Sequence, residues 1–112
     1  MGMAVSATCG CGLETEIMIG AGFSDFPNVC LFPALCRHCE RVVEANLARE
    51  PAQCPECGAT DVIPYTDPAL AKGDGRSTIA EWGERALFDG HYHCPACKEM
   101  TLRFAPTGLL WD

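Results

Sequence analysis

The sequence predicts a small, metal-stabilised, mainly β fold with a minor helical part, and three observations lead there. Eight of the nine cysteines fall into four close pairs: Cys9/Cys11, Cys36/Cys39, Cys54/Cys57 and Cys94/Cys97. Each pair is followed within a few residues by a short stretch with strand character, a weak internal repeat of a turn-plus-strand unit. Eleven glycines and eight prolines in 112 residues signal many turns. A chain this short buries a modest share of its surface, so it needs staples, and the cysteines supply them.

The expected elements follow in chain order. Residues 1–8 read as a loose start or the first edge of a strand. Cys9-Gly10-Cys11-Gly12 is a tight turn. Leu13 to Ile19 alternates, with Leu13, Thr15, Ile17 and Ile19 on one side and Glu14, Glu16 and Met18 on the other, the period of a half-buried strand. Phe23 to Pro33, with Phe23, Phe26 and Phe32, reads as an irregular segment covering the core. It includes Cys30, which has no partner at ligand spacing and reads as a small buried hydrophobe. Arg41 to Leu47 and Asp61 to Tyr65 are short strands, the second an edge because Pro64 cannot donate to a ladder. Residues 66–76 form a linker rich in Asp, Pro and Gly. Thr78 with Glu81 has capping-box form, and Ile79, Trp82 and Ala86 make an apolar stripe, which predicts one helix near 78–88 with Trp82 in the core. Met100 to Phe104 is the last strand, and Leu109-Leu110-Trp111 is expected to pack back onto the body.

Two cysteines in a tight turn can present both sulfurs to one metal at about 2.3 Å, and two such turns complete a tetrahedron. Cys36/Cys39 and Cys54/Cys57, separated by residues 40–53, come close to the C-x₂-C…C-x₂-C template of a closed metal site. Cys54-Pro-Glu-Cys57-Gly58 is the second knuckle of that pattern, and residues 34–65 resemble a zinc ribbon of the rubredoxin-like kind. The resemblance implies knuckles and short antiparallel strands around a structural metal, and it implies no activity. The first knuckle departs from the pattern by carrying Glu40 where glycine is common. The remaining pairs admit nested, sequential and cross-brace arrangements. The nested one joins Cys9/Cys11 to Cys94/Cys97 and leaves the shortest inner loop to close, so it is favoured. The expected organisation is therefore one domain, 1–112, with an inner ribbon at 34–65 inside an outer knuckle module built from 7–20 and 91–105. In that module the strands at 13–19 and 100–104 would pair.

The metal expected is Zn²⁺, two per chain, with iron an alternative because a Cys₄ tetrahedron accepts either. His91 and His93 stand beside Cys94 and would offer a mixed, open site only if Cys9 or Cys11 did not bind. Their simpler reading is as ordinary strand or turn residues, and His38 inside the first CxxC turn reads as exposed. Absence of a secretory signal or an apolar run of membrane-spanning length points to a reducing cytoplasm, where CxxC pairs are metal ligands more often than disulfides. The odd cysteine count agrees.

The formal charge of −7, with eight Lys and Arg in all, disfavours nucleic acid, whose phosphates demand clustered cations. Arg37, Arg41 and Arg49 read as a solvated face. No nucleophile–base grouping, phosphate loop or dinucleotide fingerprint is present. The sequence thus favours a non-enzymatic cytoplasmic zinc protein that meets another protein and no membrane. A redox or electron-transfer protein using CxxC dithiols or rubredoxin-type iron is the alternative.

Overall fold

A computed structural model describes residues 2–20, 30–48, 52–82 and 85–111. The chain opens with a hairpin: β1 (Gly2–Thr8) and β2 (Glu14–Gly20) pair antiparallel from Gly2↔Gly20 to Thr8↔Glu14. A second hairpin joins β3 (Leu31–Cys36) to β4 (Arg41–Asn46), with Cys36 opposite Arg41. The short β5 (Val62–Pro64) lies along the other side of β3, pairing Cys36↔Val62 and Ala34↔Pro64. A 3₁₀ turn at Pro68–Leu70 leads to a separate hairpin, β6 (Thr78–Trp82) with β7 (Arg85–Phe88). The two-residue β8 (Tyr92–His93) and the long β9 (Met100–Trp111) complete the chain. The main sheet runs β4-β3-β2-β1-β9-β8, with β5 beside β3, so the molecule is mainly β.

Three expectations are corrected by this arrangement. Among the described residues no helix forms near 78–88; Thr78–Trp82 and Arg85–Phe88 pair as the β6–β7 hairpin. Gly83 weakens a helix by about 1 kcal/mol relative to alanine, while Thr78, Ile79 and Trp82 are residue types that strands favour. The Gly83-Glu84 step separates Trp82 from its partner Arg85, and a two-residue connection beginning with Gly is a hairpin signal. Pairing puts Ala80 opposite Leu87, both buried, which serves the apolar residues as a helical stripe would have. Side-chain placement of Trp82 lies outside the described residues.

Strand β1 is the second correction. It lies between β2 and β9, so residues 14–20 and 100–104 do not pair with each other. Ala4, Val5 and Ala7 are all fully buried, while Ser6 is half-buried and Thr8 exposed, so β1 shows no clean alternation. A strand buried on both faces loses the alternation that a sequence reading depends on. Strand β3 is the third: Leu31, Phe32 and Pro33 belong to a strand, buried from Phe32 to Cys36, for the same reason. Phe23 and Phe26 lie outside the described residues.

Strand β9 extends past Phe104 to Trp111, so the chain end pairs with the start through Met3↔Leu110 and Gly2↔Trp111. Its register shifts between Met3 and Val5, where Val5 is opposite Pro106. The extra residues include Gly108 at φ 85°, and Thr107 Oγ1 donates to the Ala4 carbonyl at 3.2 Å. A proline inside a strand is tolerated at such a bulge. Strand β2 meets β3 only at Gly20↔Leu31; farther along, the Glu44 carboxylate accepts the Met18 amide at 2.7 Å.

The main core gathers Val5, Ile17, Ile19, Phe32, Leu87, Leu102 and their neighbours, and it reaches as far as Cys94. A smaller cluster of Ala34, Val43 and Ala45 surrounds Cys36 and Cys54. Tyr65, Tyr92 and Phe104 meet edge to face, with ring centroids 5.2–5.8 Å apart. Such pairs add about 0.5–1.5 kcal/mol each beyond area burial. The Tyr65 hydroxyl donates to the His93 carbonyl at 2.8 Å, tying the end of β5 to the residue before Cys94.

Candidate metal centres

The four cysteine pairs lie in turns at strand ends. Cys9/Cys11 joins β1 to β2, Cys36/Cys39 joins β3 to β4, Cys54/Cys57 precedes β5, and Cys94/Cys97 joins β8 to β9. A common hydrogen bond closes each turn. In the three CxxC turns the carbonyl of the first cysteine accepts an amide four residues on: Glu40 at 2.8 Å, Gly58 at 2.9 Å and Lys98 at 2.8 Å. In the shorter Cys9 turn the Gly12 amide takes this role at 3.0 Å.

In all four turns, the residue after the second cysteine has positive φ: Gly12 at 107°, Glu40 at 54°, Gly58 at 76° and Lys98 at 66°. Two of these positions carry the glycine that the conformation favours. The other two carry Glu40 and Lys98, and these side chains form an ion pair, Lys98 Nζ to Glu40 Oε1 at 2.8 Å. The ammonium beside it holds the Glu40 carboxyl below its ordinary value. The two turns that lack glycine are thus linked across the molecule.

The turns converge as two quartets. Cys9, Cys11, Cys94 and Cys97 form one, and Cys36, Cys39, Cys54 and Cys57 the other, with all ligand atoms in each within 4.8 Å of one another. This is the nested arrangement. Sulfur–sulfur distances are 3.7 Å for Cys9–Cys97, Cys11–Cys94 and Cys36–Cys57, and 3.8 Å for Cys39–Cys54. A regular tetrahedron with metal–sulfur bonds of about 2.3 Å has edges of about 3.8 Å, which these two edges of each quartet match. None of the eight quartet cysteines is in a disulfide.

Hydrogen-bond donors surround the sulfurs, and they differ between the quartets. At the inner one, Cys36 Sγ accepts the Cys39 amide and Cys54 Sγ the Glu56 amide, both at 3.3 Å. At the outer one, Thr101 Oγ1 lies 3.0 Å from Cys9 Sγ and 3.2 Å from Cys97 Sγ. Amide and hydroxyl donors stabilise a thiolate, whereas burial and a neighbouring thiolate oppose it. The Cys11 backbone amide and the Thr101 hydroxyl bring the Cys9 thiol down to about 6. Burial pushes Cys94 up to about 12. In the inner quartet burial opposes ionisation of Cys54, yet the Cys57 and Glu56 amides bring it down to about 7. Cys36 is raised by burial, and Cys39 by its hydrogen bond to Cys57 and by burial. Four thiolates crowded into one site need a cation, and the raised thiols Cys36, Cys39 and Cys94 are the ones that resist ionisation without one. A divalent metal would displace their protons.

The remaining candidates lie outside both quartets. Cys30 is half-buried at the start of β3, its amide donating to Asn46 Oδ1 at 2.9 Å. His38 is exposed within its turn. His93 is half-buried in β8. His91 Nδ1 lies 2.6 Å from Asp74 Oδ2, and the His91 amide donates to Asp74 Oδ1 at 2.8 Å. These two bonds from His91 hold the Asp74 carboxyl down to about 2. No sequence signal paired Asp74 with His91, because seventeen positions separate them.

Among the described residues no helix is long and apolar enough to cross a membrane. Comparisons with family models, curated proteins and solved structures gave no significant match. The chain carries two Cys₄ groups that could hold metal ions.

Proposed function

We propose that this chain is a zinc protein with two structural Cys₄ sites, acting in the cytoplasm as a non-enzymatic module that presents an acidic surface to a partner protein. The observation that carries the reading is the tetrahedral spacing of both quartets. A Cys₄ set leaves no open position for substrate or water, so its contribution is folding free energy. The ligands proposed for the inner ion are Cys36, Cys39, Cys54 and Cys57, and for the outer ion Cys9, Cys11, Cys94 and Cys97. The placement of the sites supports a structural role, since each gathers turns at strand ends: the inner one ties the β3–β4 turn to the turn before β5, the outer one the β1–β2 turn to the β8–β9 turn. The net charge of −7 turns the module away from nucleic acid and toward a protein surface with basic character.

Single substitutions test the reading. Cys54→Ser and Cys94→Ser should each remove one bound ion while leaving the other quartet's ion in place. Full retention of two metals in either variant would show that the quartet concerned does not bind. A coloured, iron-containing protein would replace zinc by rubredoxin-type iron and bring electron transfer forward.

A further inference from the structure

Residues 66–90 close neither quartet, yet they are fastened with care. Asp89 Oδ1 accepts the amides of Arg76 at 2.7 Å and Ser77 at 3.2 Å, and the Phe88 amide donates to the Tyr92 hydroxyl at 2.9 Å. Asp74 takes both the amide and the ring of His91. Gly75 and Gly90 allow the two arms of the segment to touch: a Cβ on Gly90 would stand 2.4 Å from the Gly75 amide nitrogen.

These arms wall a cleft of about 310 Å³. That is the low end of the range for sites taking small organic molecules. Its lining is mainly apolar, with Tyr65, Pro68, Ala71, Ala86, Phe88 and Tyr92 prominent, and among the described residues it contains no Lys, Arg, Asp or Glu. Phe88, at 44% exposure, is the exposed large hydrophobic residue among those described, and it belongs to this cleft. His91 also lines it. Nδ1 of His91 is directed at the Asp74 carboxylate, which fixes the ring in orientation and leaves Nε2 for a ligand.

We propose that this cleft binds a small, uncharged aromatic molecule carrying one hydroxyl or N–H donor, the donor meeting Nε2 of His91 and the ring lying among Phe88, Tyr92 and Ala86. Among the described lining residues no Lys or Arg offers a partner to a phosphate or carboxylate, and no Asp or Glu offers one to an amine. This inference is independent of which metal the quartets hold.

The probes are p-cresol and toluene, which share a ring and a methyl group and differ by one hydroxyl. Each is titrated into the metal-loaded, ¹⁵N-labelled full chain and followed by amide chemical shifts. The expected result is saturable shifts concentrated at residues 65–75 and 86–92, with p-cresol about fivefold tighter than toluene, the worth of one ordinary hydrogen bond. His91→Ala should reduce p-cresol to the affinity of toluene while metal content stays the same. Ala86→Trp, which fills the cleft, should abolish binding of both. Scattered or non-saturating shifts, equal affinities for the two probes, or a p-cresol preference that survives His91→Ala would overturn the proposal.

Discussion

Removing the Glu40–Lys98 ion pair should stabilise the protein, provided both residues become glycine. Glu40 and Lys98 have φ of 54° and 66°, in turns where Gly12 and Gly58 occupy the equivalent positions. Holding a side-chain-bearing residue in the left-handed region costs roughly 1 kcal/mol relative to glycine. The ion pair between them has side chains 54% and 62% exposed, and such a pair contributes about 0–1 kcal/mol. Each single glycine variant relieves one strained residue and loses the pair, so each should change stability by about 0–1 kcal/mol. The double variant relieves both but loses the pair only once, for a net gain of about 1–2 kcal/mol. In a domain of this size that corresponds to a rise of several degrees in Tm, near 4 °C per kcal/mol. Calorimetry on the metal-saturated wild type, two singles and double variant closes the cycle. A double variant less stable than wild type by about 1 kcal/mol or more would refute the reasoning, because the cross-link would then outweigh the strain on both sides.

Tyr65→Phe should cost about 1–3 kcal/mol, since it leaves the His93 carbonyl without its buried donor, and urea denaturation of the metal-loaded protein would measure it. Thr101→Val should weaken the outer ion roughly tenfold in a chelator competition and leave the inner one unchanged, because its hydroxyl reaches only Cys9 and Cys97. Metal loading of the apoprotein in weak buffer at neutral pH should release protons. The raised thiols Cys36, Cys39 and Cys94 must give theirs up, so affinity falls as pH falls, and an unchanged pH on loading would contradict this.

The cysteine spacing carried most of what was legible in the sequence. Ligand turns are local, so Cys36-x-x-Cys39 and Cys54-x-x-Cys57 announce themselves, and loop entropy was enough to favour the nested grouping that the sulfurs adopt. Half-buried strands were legible too: Ile17 and Ile19 are buried, while Glu14 and Glu16 are exposed, as alternation requires. What escaped was set by tertiary context. β1 buries Ala4 as well as Val5 and Ala7, residues on opposite faces of the strand, which blurs the period-two signal. Thr78 and Glu81 fit a capping box, yet Ser77 takes its amide partner from Asp89, twelve residues away, in a hairpin. The Asp74–His91 pair and the cleft beside it rest on a close approach of Gly75 and Gly90 that no local pattern encodes.

The central claim is that each quartet closes around one metal ion. Native mass spectrometry with elemental analysis, on protein purified without added metal, tests it most directly. Two metal ions per chain, zinc on the proposed reading, is the result the geometry predicts. One ion or none per folded chain would contradict it, because at least one set of four sulfurs would then hold its spacing for a reason other than a metal.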